Sequence, residues 1–477
     1  MLEKLLNKYF CITSLLILVA LIALYAFYSN TSFDLLLMDR PFWLITCSVI
    51  SGLYIFLFRR KTLFCFEFIF FIFFIVCTFY SDLFLQYLDE DSAISSIYFI
   101  SFPKVIENKN LLIHMLGFFA FITTSSGYNY YSDCYGNQCK NMPLKNKFLL
   151  SFDFPFVINC LSIIMLLLIV YLFKGGIIQK WFHYSQEISD YSNLEIVFCT
   201  VIFLVITLLE FTWLNKIGCK SFLEFLKNSH KLYLIEVIII VTLLLISGNR
   251  NEALLIFIPI IAAYSLFIKP ISNITFLTIL FVGTLVMIVI GVIRMSSEGL
   301  NSFNFYDLQV FEMSRDFALV DTDSKFLIQY VDQHEPIYFQ NAFLALMSSI
   351  PGLGGIVSDL FLLKWAPRSS QLTTDWMQLD NSSSGMGTSL IGDLYYTSGV
   401  LWVLIFMLAF GWLIAYTHRR FVIVKDYNPW LLIIYLFNIA NSTYYIRADW
   451  FMPLRYIGFS FTILFVMTII VKLSKSN

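Results

Sequence analysis

Four arginines stand where apolar runs end. Arg250 lies in the turn Ser247-Gly248-Asn249-Arg250-Asn251-Glu252, and Arg294 closes another run. Arg447 and Arg455 bracket Ala448-Asp449-Trp450-Phe451-Met452-Pro453-Leu454. A guanidinium is a planar fork that binds two phosphate oxygens at once. Four of them at one face of a bilayer suit a lipid-linked diphosphate head group, held without a metal. Local pairing is the competing explanation, Arg250 with Glu252 and Arg447 with Asp449, as is contact with ordinary lipid phosphates. Arg250 and Arg447 together favour the phosphate role, because the orientation derived below puts both on the side where basic residues are normally depleted.

The acids and the histidines are the candidates for moving a proton. Asp393 lies in Gly392-Asp393-Leu394-Tyr395-Tyr396-Thr397-Ser398-Gly399. It reads equally as a general base for a sugar hydroxyl and as a helix N-terminal charge favoured by the dipole. His334-Glu335 is a second acid/base candidate, since histidine titrates near neutrality, although an isolated loop histidine needs no such role. Asp89-Glu90-Asp91 and Asp321-Thr322-Asp323 have the composition to hold a hard cation. Such triplets are common in solvated loops, however, and we expect no metal. His114, Glu67, Glu210 and Glu236 read as packing or interfacial residues. The chain has no phosphate-binding Gly-rich loop, no nucleophile elbow and no zinc-protease helix.

These residues need a scaffold, and the composition says which kind. Of 477 residues, 59% are hydrophobic and 13% charged, against roughly 25% charged in an average soluble domain. The mean hydropathy is +0.77. The chain is therefore an all-α polytopic membrane protein, and its net charge of −1 gives no attraction for nucleic acid. A bilayer core of about 30 Å takes about 20 apolar residues per helix. Twelve runs fit, at roughly 9–28, 42–58, 63–80, 111–131, 154–173, 195–214, 232–247, 253–268, 274–293, 399–417, 430–446 and 456–471. The first is preceded by Lys4 and Lys8 but lacks a cleavage site, and reads as a retained helix.

Lysine and arginine collect in alternate loops, among them Arg59-Arg60-Lys61, Lys140, Lys145, Lys147, Lys216, Lys220, Arg419 and Arg420. The positive-inside rule then places both termini in the cytoplasm. Residues 1–294 carry nine spans and 399–477 carry three. Between them, 295–398 forms one large outer loop, too long for a passive connector, whose stretch 342–363 is apolar enough to be re-entrant or interfacial. Of the nine cysteines only Cys134 and Cys139 share a polar loop. That loop is cytoplasmic in this topology, so free thiols are expected.

Three segments resemble the bacterial O-antigen polysaccharide polymerases. Leu245-Ile246-Ser247-Gly248-Asn249-Arg250-Asn251-Glu252-Ala253-Leu254 is similar to the family's Gly-x-Arg turn. The stretch from Gly385 to Gly399 looks like the Gly/Ser-rich entry to the helix after the large loop, where relatives often carry Glu and this chain has Asp393. The third is the turn from Arg447 to Arg455. These stretches cover under a tenth of the chain, and the twelve-span plan with one large outer loop agrees along its length. The resemblance implies a glycosyltransferase C-like bundle at the periplasmic face of the inner membrane. It implies undecaprenyl-diphosphate-linked oligosaccharide as substrate, and neither a cofactor nor a nucleotide sugar. Glycosyl transfer builds negative charge on the leaving diphosphate. Arg250, Arg294, Arg447 and Arg455 would hold it, while Asp393, His334 or Glu335 would take the acceptor proton. Tyr395, Tyr396, Trp365 and Trp376 would stack on sugar rings or anchor at the membrane interface. Besides membrane lipids, a chain-length regulator and the flippase of the same pathway are the implied partners. An O-antigen ligase shares this plan and this donor. A lipid-linked oligosaccharide flippase is the alternative of another class, disfavoured by the long asymmetric loop and the lack of a repeat.

Overall fold

The computed structural model describes residues 2–30, 39–59, 62–84, 101–135, 154–174, 194–246, 250–295, 315–334, 336–337, 339–361, 366–376, 388–424, 428–450 and 452–476. The side chains of Arg250 and Arg294 lie outside that description. Among the described residues every regular element is a helix. In chain order these are α1 (Leu2–Asn30), α2 (Arg40–Phe58), α3 (Phe66–Thr78), α4 (Tyr80–Phe84), α5 (Lys104–Tyr135), α6 (Phe154–Lys174), α7 (Leu194–Lys216), α8 (Phe222–Asn228) and α9 (Lys231–Ile246). They continue with α10 (Arg250–Phe267), α11 (Asn273–Met295), α12 (Arg315–Gln333), α13 (Gln340–Ser348), α14 (Leu353–Phe361), α15 (Ser369–Trp376), α16 (Leu390–His418), α17 (Pro429–Ala440) and α18 (Met452–Ser476).

Among the described residues, five helical stretches are long and apolar enough to cross a membrane: Lys4–Phe27, Arg40–Phe58, Lys104–Cys134, Cys199–Lys216 and Leu390–Val424. Shorter apolar helices accompany them at Phe66–Thr78, Pro155–Tyr171, Leu254–Phe267, Asn273–Gly283, Trp430–Ala440 and Leu454–Ile469. The chain is thus a helical membrane protein. Helices suit that setting because they satisfy their own backbone hydrogen bonds. Side chains such as Leu16, Phe56, Leu167, Ile238 and Leu401 remain uncovered on helix faces, where water would be an unfavourable solvent and lipid is not.

The centre of the bundle is the packing of α5 along α16, with α1 and α12 also against α5. Phenylalanines fill it: Phe66, Phe70, Phe74, Phe118, Phe121 and Phe410 are buried and meet edge-on or stacked. A second group joins α7 to α6, α10 and α18. One buried ion pair ties α2 to α3, with Arg59 Nη2 2.6 Å from Glu67 Oε1. Tyr54 donates to the same oxygen at 3.2 Å. Glu67, which reads from the sequence as a packing residue, is therefore the acceptor of an interior cation.

Two helices end or bend away from their apolar runs. The α16 helix starts at Leu390, nine residues before the run that predicts it, and breaks at Ser398 (φ −163°) and Gly399 (φ +68°). The second conformation lies in the left-handed region that favours glycine, so Leu390–Thr397 forms a separate buried half-helix. The α17 helix stops at Ala440, short of the run's end. There the buried Asn441 and Ser442 side chains turn to the carbonyls of Phe437 and Ile439 and compete with continued helix. A single 3-10 turn, Tyr445–Arg447, follows.

The described part of 295–398 is helical too. The α12 helix packs against α3, α4, α5 and α16, and its polar run from Asp321 to Lys325 is buried. After it, α13 and α14 pack as a hairpin. That hairpin leaves Phe343, Leu346, Ile350, Ile356, Leu360 and Phe361 exposed. Cys134 and the seven other described cysteines are free thiols, and Cys139 lies outside the described residues.

Candidate functional site

Three segments that are distant in sequence meet at the half-helix. Ser389 caps it, accepting the Gly392 N–H at 3.3 Å. Gly392 faces α12 so closely that a Cβ there would lie 3.0 Å from Ser324 Cα and 3.1 Å from Leu327 Cδ1. One residue on, Asp393 is 3% exposed. Its Oδ2 accepts the main-chain N–H of Trp450 at 3.0 Å. The Trp450 indole N–H donates to Thr397 Oγ1 at 3.1 Å, and that hydroxyl donates to the Asp393 carbonyl at 2.8 Å.

The turn held this way carries Asp449, which stands beside Asp393. Ser369 Oγ donates to Asp449 Oδ1 at 3.0 Å, lies within reach of Asp393, and accepts from Thr388 at 2.9 Å. Loss of water pushes the Asp449 carboxyl above its ordinary range, against the lowering pull of the Ser369 hydrogen bond and the nearby Arg368. Two neighbouring carboxyls with one hydroxyl between them do not both ionise readily, and one of them holds a proton that the other can exchange. Arg368 also lies close enough to Arg455 to repel it. The Arg455 Nε is buried and makes no hydrogen bond among the described residues. Arg368 thus bears on both carboxyls and on Arg455, and brings positive charge to the carboxyl pair.

A second polar group lies on α12. Asp321 accepts from Asn110 Nδ2 at 2.9 Å and is flanked by Lys325 Nζ at 2.8 Å and Arg40 Nη2 at 3.6 Å. Burial alone would raise its carboxyl, but Lys325 and Arg40 more than offset that and hold it below the usual range. Asp323 differs. It is buried, and burial pushes its carboxyl well above the usual range, with Arg447 as the opposing charge. The Arg447 guanidinium stands over the Phe317 ring at 5.9 Å.

Of the residues singled out by the sequence, Asp393, Tyr396 and Arg455 come together here. Tyr396 is buried, and its hydroxyl donates to the Pro367 carbonyl at 3.0 Å. Arg447 turns toward α12, whereas Asp449 turns to Ser369. His334 is exposed, stacks on Tyr330 at 4.3 Å and bonds the Tyr330 carbonyl at 3.1 Å. Tyr395 is buried with the Lys109 ammonium 5.5 Å from its ring centre. Trp376 stacks on Phe326 at 4.4 Å. Glu335 and Trp365 lie outside the described residues, as does Asp89-Glu90-Asp91. Sequence reasoning passes over Ser369 and Arg368, for which Pro367-Arg368-Ser369-Ser370 offers no signal. It reads Asp323 as part of a solvated acidic triplet, and the only pointer to burial is the apolar pattern of Phe317, Leu319, Val320, Leu327 and Ile328 around it.

Among the described residues no group of three His, Cys, Asp or Glu side chains is placed to hold a metal ion. Comparison with family models, with curated proteins and with solved structures finds no match for this chain.

Proposed function

We propose that this protein is a membrane-embedded glycosyltransferase that joins undecaprenyl-diphosphate-linked oligosaccharide repeat units into a surface polysaccharide such as O-antigen. In this reading the chain crosses the bacterial inner membrane twelve times, with both termini in the cytoplasm. The segment 295–398 then lies in the periplasm and builds the site there. The observation that carries the reading is the Asp393–Asp449 carboxyl pair at the buried half-helix, with the Arg368 charge beside it and Arg455 next to Arg368. It supplies both charges the reaction needs, a proton acceptor and positive charge for the diphosphate.

The acceptor hydroxyl oxygen attacks the anomeric carbon of the lipid-linked donor. The new C–O bond forms as the bond to the diphosphate oxygen breaks, and the electron pair leaves with the diphosphate. The hydroxyl proton passes to the ionised member of the Asp393–Asp449 pair. Arg368, Arg455 and Arg447 stabilise the charge that develops on the leaving group, an electrostatic contribution often worth several kcal/mol.

The test is the surface polysaccharide of cells lacking the gene, resolved on a gel, with wild type, Asp393→Asn, Arg447→Ala and Arg455→Ala restored separately. A single repeat unit on the lipid core in the deletion, reproduced by the variants at normal protein level, is the expected result. Long lipid-linked polymer that never reaches the core would make the protein a ligase. Repeat units stranded at the cytoplasmic face would make it a flippase.

A further inference from the structure

Asp321 and Asp323 are two residues apart on α12, about 200° apart around its axis, and their surroundings are opposite. Asp321 is fully served by Asn110, Lys325 and Arg40. Asp323 is 1% exposed, and neither of its carboxyl oxygens takes a hydrogen bond among the described residues. An ionised carboxylate buried without donors costs several kcal/mol, so the group keeps its proton instead.

The charges around it are unevenly shared. Lys325 on α12 and Arg40 on α2 turn to Asp321, whereas the His114 ring on α5 bonds the Asn110 carbonyl. On α3, Cys77 senses Arg447 and Asp321. On α16, Asp393 faces Asp449 and Arg368. Asp82 of α4 holds Arg40. The charge that reaches Asp323 is Arg447, on the 3-10 turn packed against α12.

We propose that Asp323 and Arg447 form one phosphate-binding pair, in which the Asp323 carboxyl stays protonated and donates a hydrogen bond to an oxygen of the phosphate that Arg447 grips. This rests on the reading of Arg447 as a diphosphate ligand, and adds the chemistry of its partner. An ionised Asp323 would cancel the guanidinium charge and repel the anion. A neutral one contributes a short O–H···O⁻ bond and adds no repulsion of its own. The ligand class is a diphosphate esterified at both ends, which has no proton of its own to give up near neutrality. Asp323 supplies that proton.

The experiment measures equilibrium binding of farnesyl-diphosphate-linked N-acetylglucosamine to the full-length protein in nanodiscs between about pH 6 and pH 9. Wild-type affinity is expected to fall as pH rises, by up to about tenfold per pH unit while Asp323 ionises. Asp323→Asn keeps the low-pH affinity and loses the slope. Asp323→Ser, a smaller neutral donor, loses the slope too and serves if the amide variant does not fold. Arg447→Ala weakens binding at every pH. If wild type and Arg447→Ala behave as stated but Asp323→Asn retains the wild-type slope, the pair is wrong while the functional reading stands. If wild type does not bind the diphosphate, both fall. An arm with phosphatidylglycerol replacing the diphosphate lipid separates the sources: an Asp323-dependent slope there supports the pair and reassigns its ligand to a lipid headgroup.

Discussion

Asp393 holds Trp450 at two points, through its side-chain oxygen on the main-chain N–H at 3.0 Å and through Thr397, which bonds both the Trp450 indole and the Asp393 carbonyl. A carboxylate at the start of one helix thereby fixes the turn that presents Asp449. Replacing Asp393 with Ala strands a buried N–H, at a cost of about 1–3 kcal/mol. Asp393→Asn keeps an acceptor and is expected to lose less than about 1 kcal/mol. Thermal unfolding in detergent measures the difference. Polymer formation should vanish in both variants, and normal chain length in Asp393→Asn would remove the carboxylate from the reaction.

Asp449 makes stability pH-dependent. Its folded carboxyl binds a proton more tightly than the unfolded one. Stability is therefore full below the ordinary carboxylate range and falls as pH rises toward the raised folded value, beyond which the loss levels off. Asp449→Asn removes this contribution. Its unfolding midpoint, followed from about pH 4 upward, should decline less steeply than that of wild type.

Gly392 sets the distance between the half-helix and α12. A methyl group there meets Ser324 Cα at 3.0 Å, main chain that cannot rotate away. Gly392→Ala is expected to destabilise by about 1–3 kcal/mol through overpacking and to lower activity by displacing α12. Gly52, inside α2 with nothing within 4 Å of a built Cβ, is the matched control, where Ala should stabilise by up to about 1 kcal/mol. Equal losses at the two positions would contradict the packing.

Arg59 and Glu67 are each buried at 1% and 0% side-chain exposure. Removing one partner strands the other, at a cost of about 3–5 kcal/mol. Arg59→Met and Glu67→Met singly should reduce folded protein sharply, while the double Met variant should recover much of it. Fluorescence-detected size exclusion reads the yield. A double variant as poor as either single one would show that the pair does more than neutralise itself.

The helical membrane class was legible from composition and hydropathy because both are properties of summed apolar area, which needs no tertiary information. Asp393, Tyr396 and Arg455 were legible because they lie at run boundaries, where polar residues stand out against an apolar background. Ser369, Arg368 and Asp323 were not. Ser369 and Arg368 belong to the small helix α15 and its lead-in, and only the folding of that helix onto α16 brings a commonplace serine to two carboxyls. Asp323 sits in a polar run whose burial depends on α12 docking among α3, α5 and α16, a long-range event with no local mark. The early end of α17 was likewise hidden, since Asn441 and Ser442 terminate the helix through their own side chains inside a run that is apolar on average.

The Arg59–Glu67 pair also constrains how the chain can be made. A guanidinium at one end of α2 and a carboxylate at the start of α3 are each costly to pass into hydrocarbon alone. Together they are neutral, and only residues 60–66 separate them along the chain. Insertion is cheapest if the two helices leave the translocation machinery side by side as one closed hairpin, with the charges already neutralising each other.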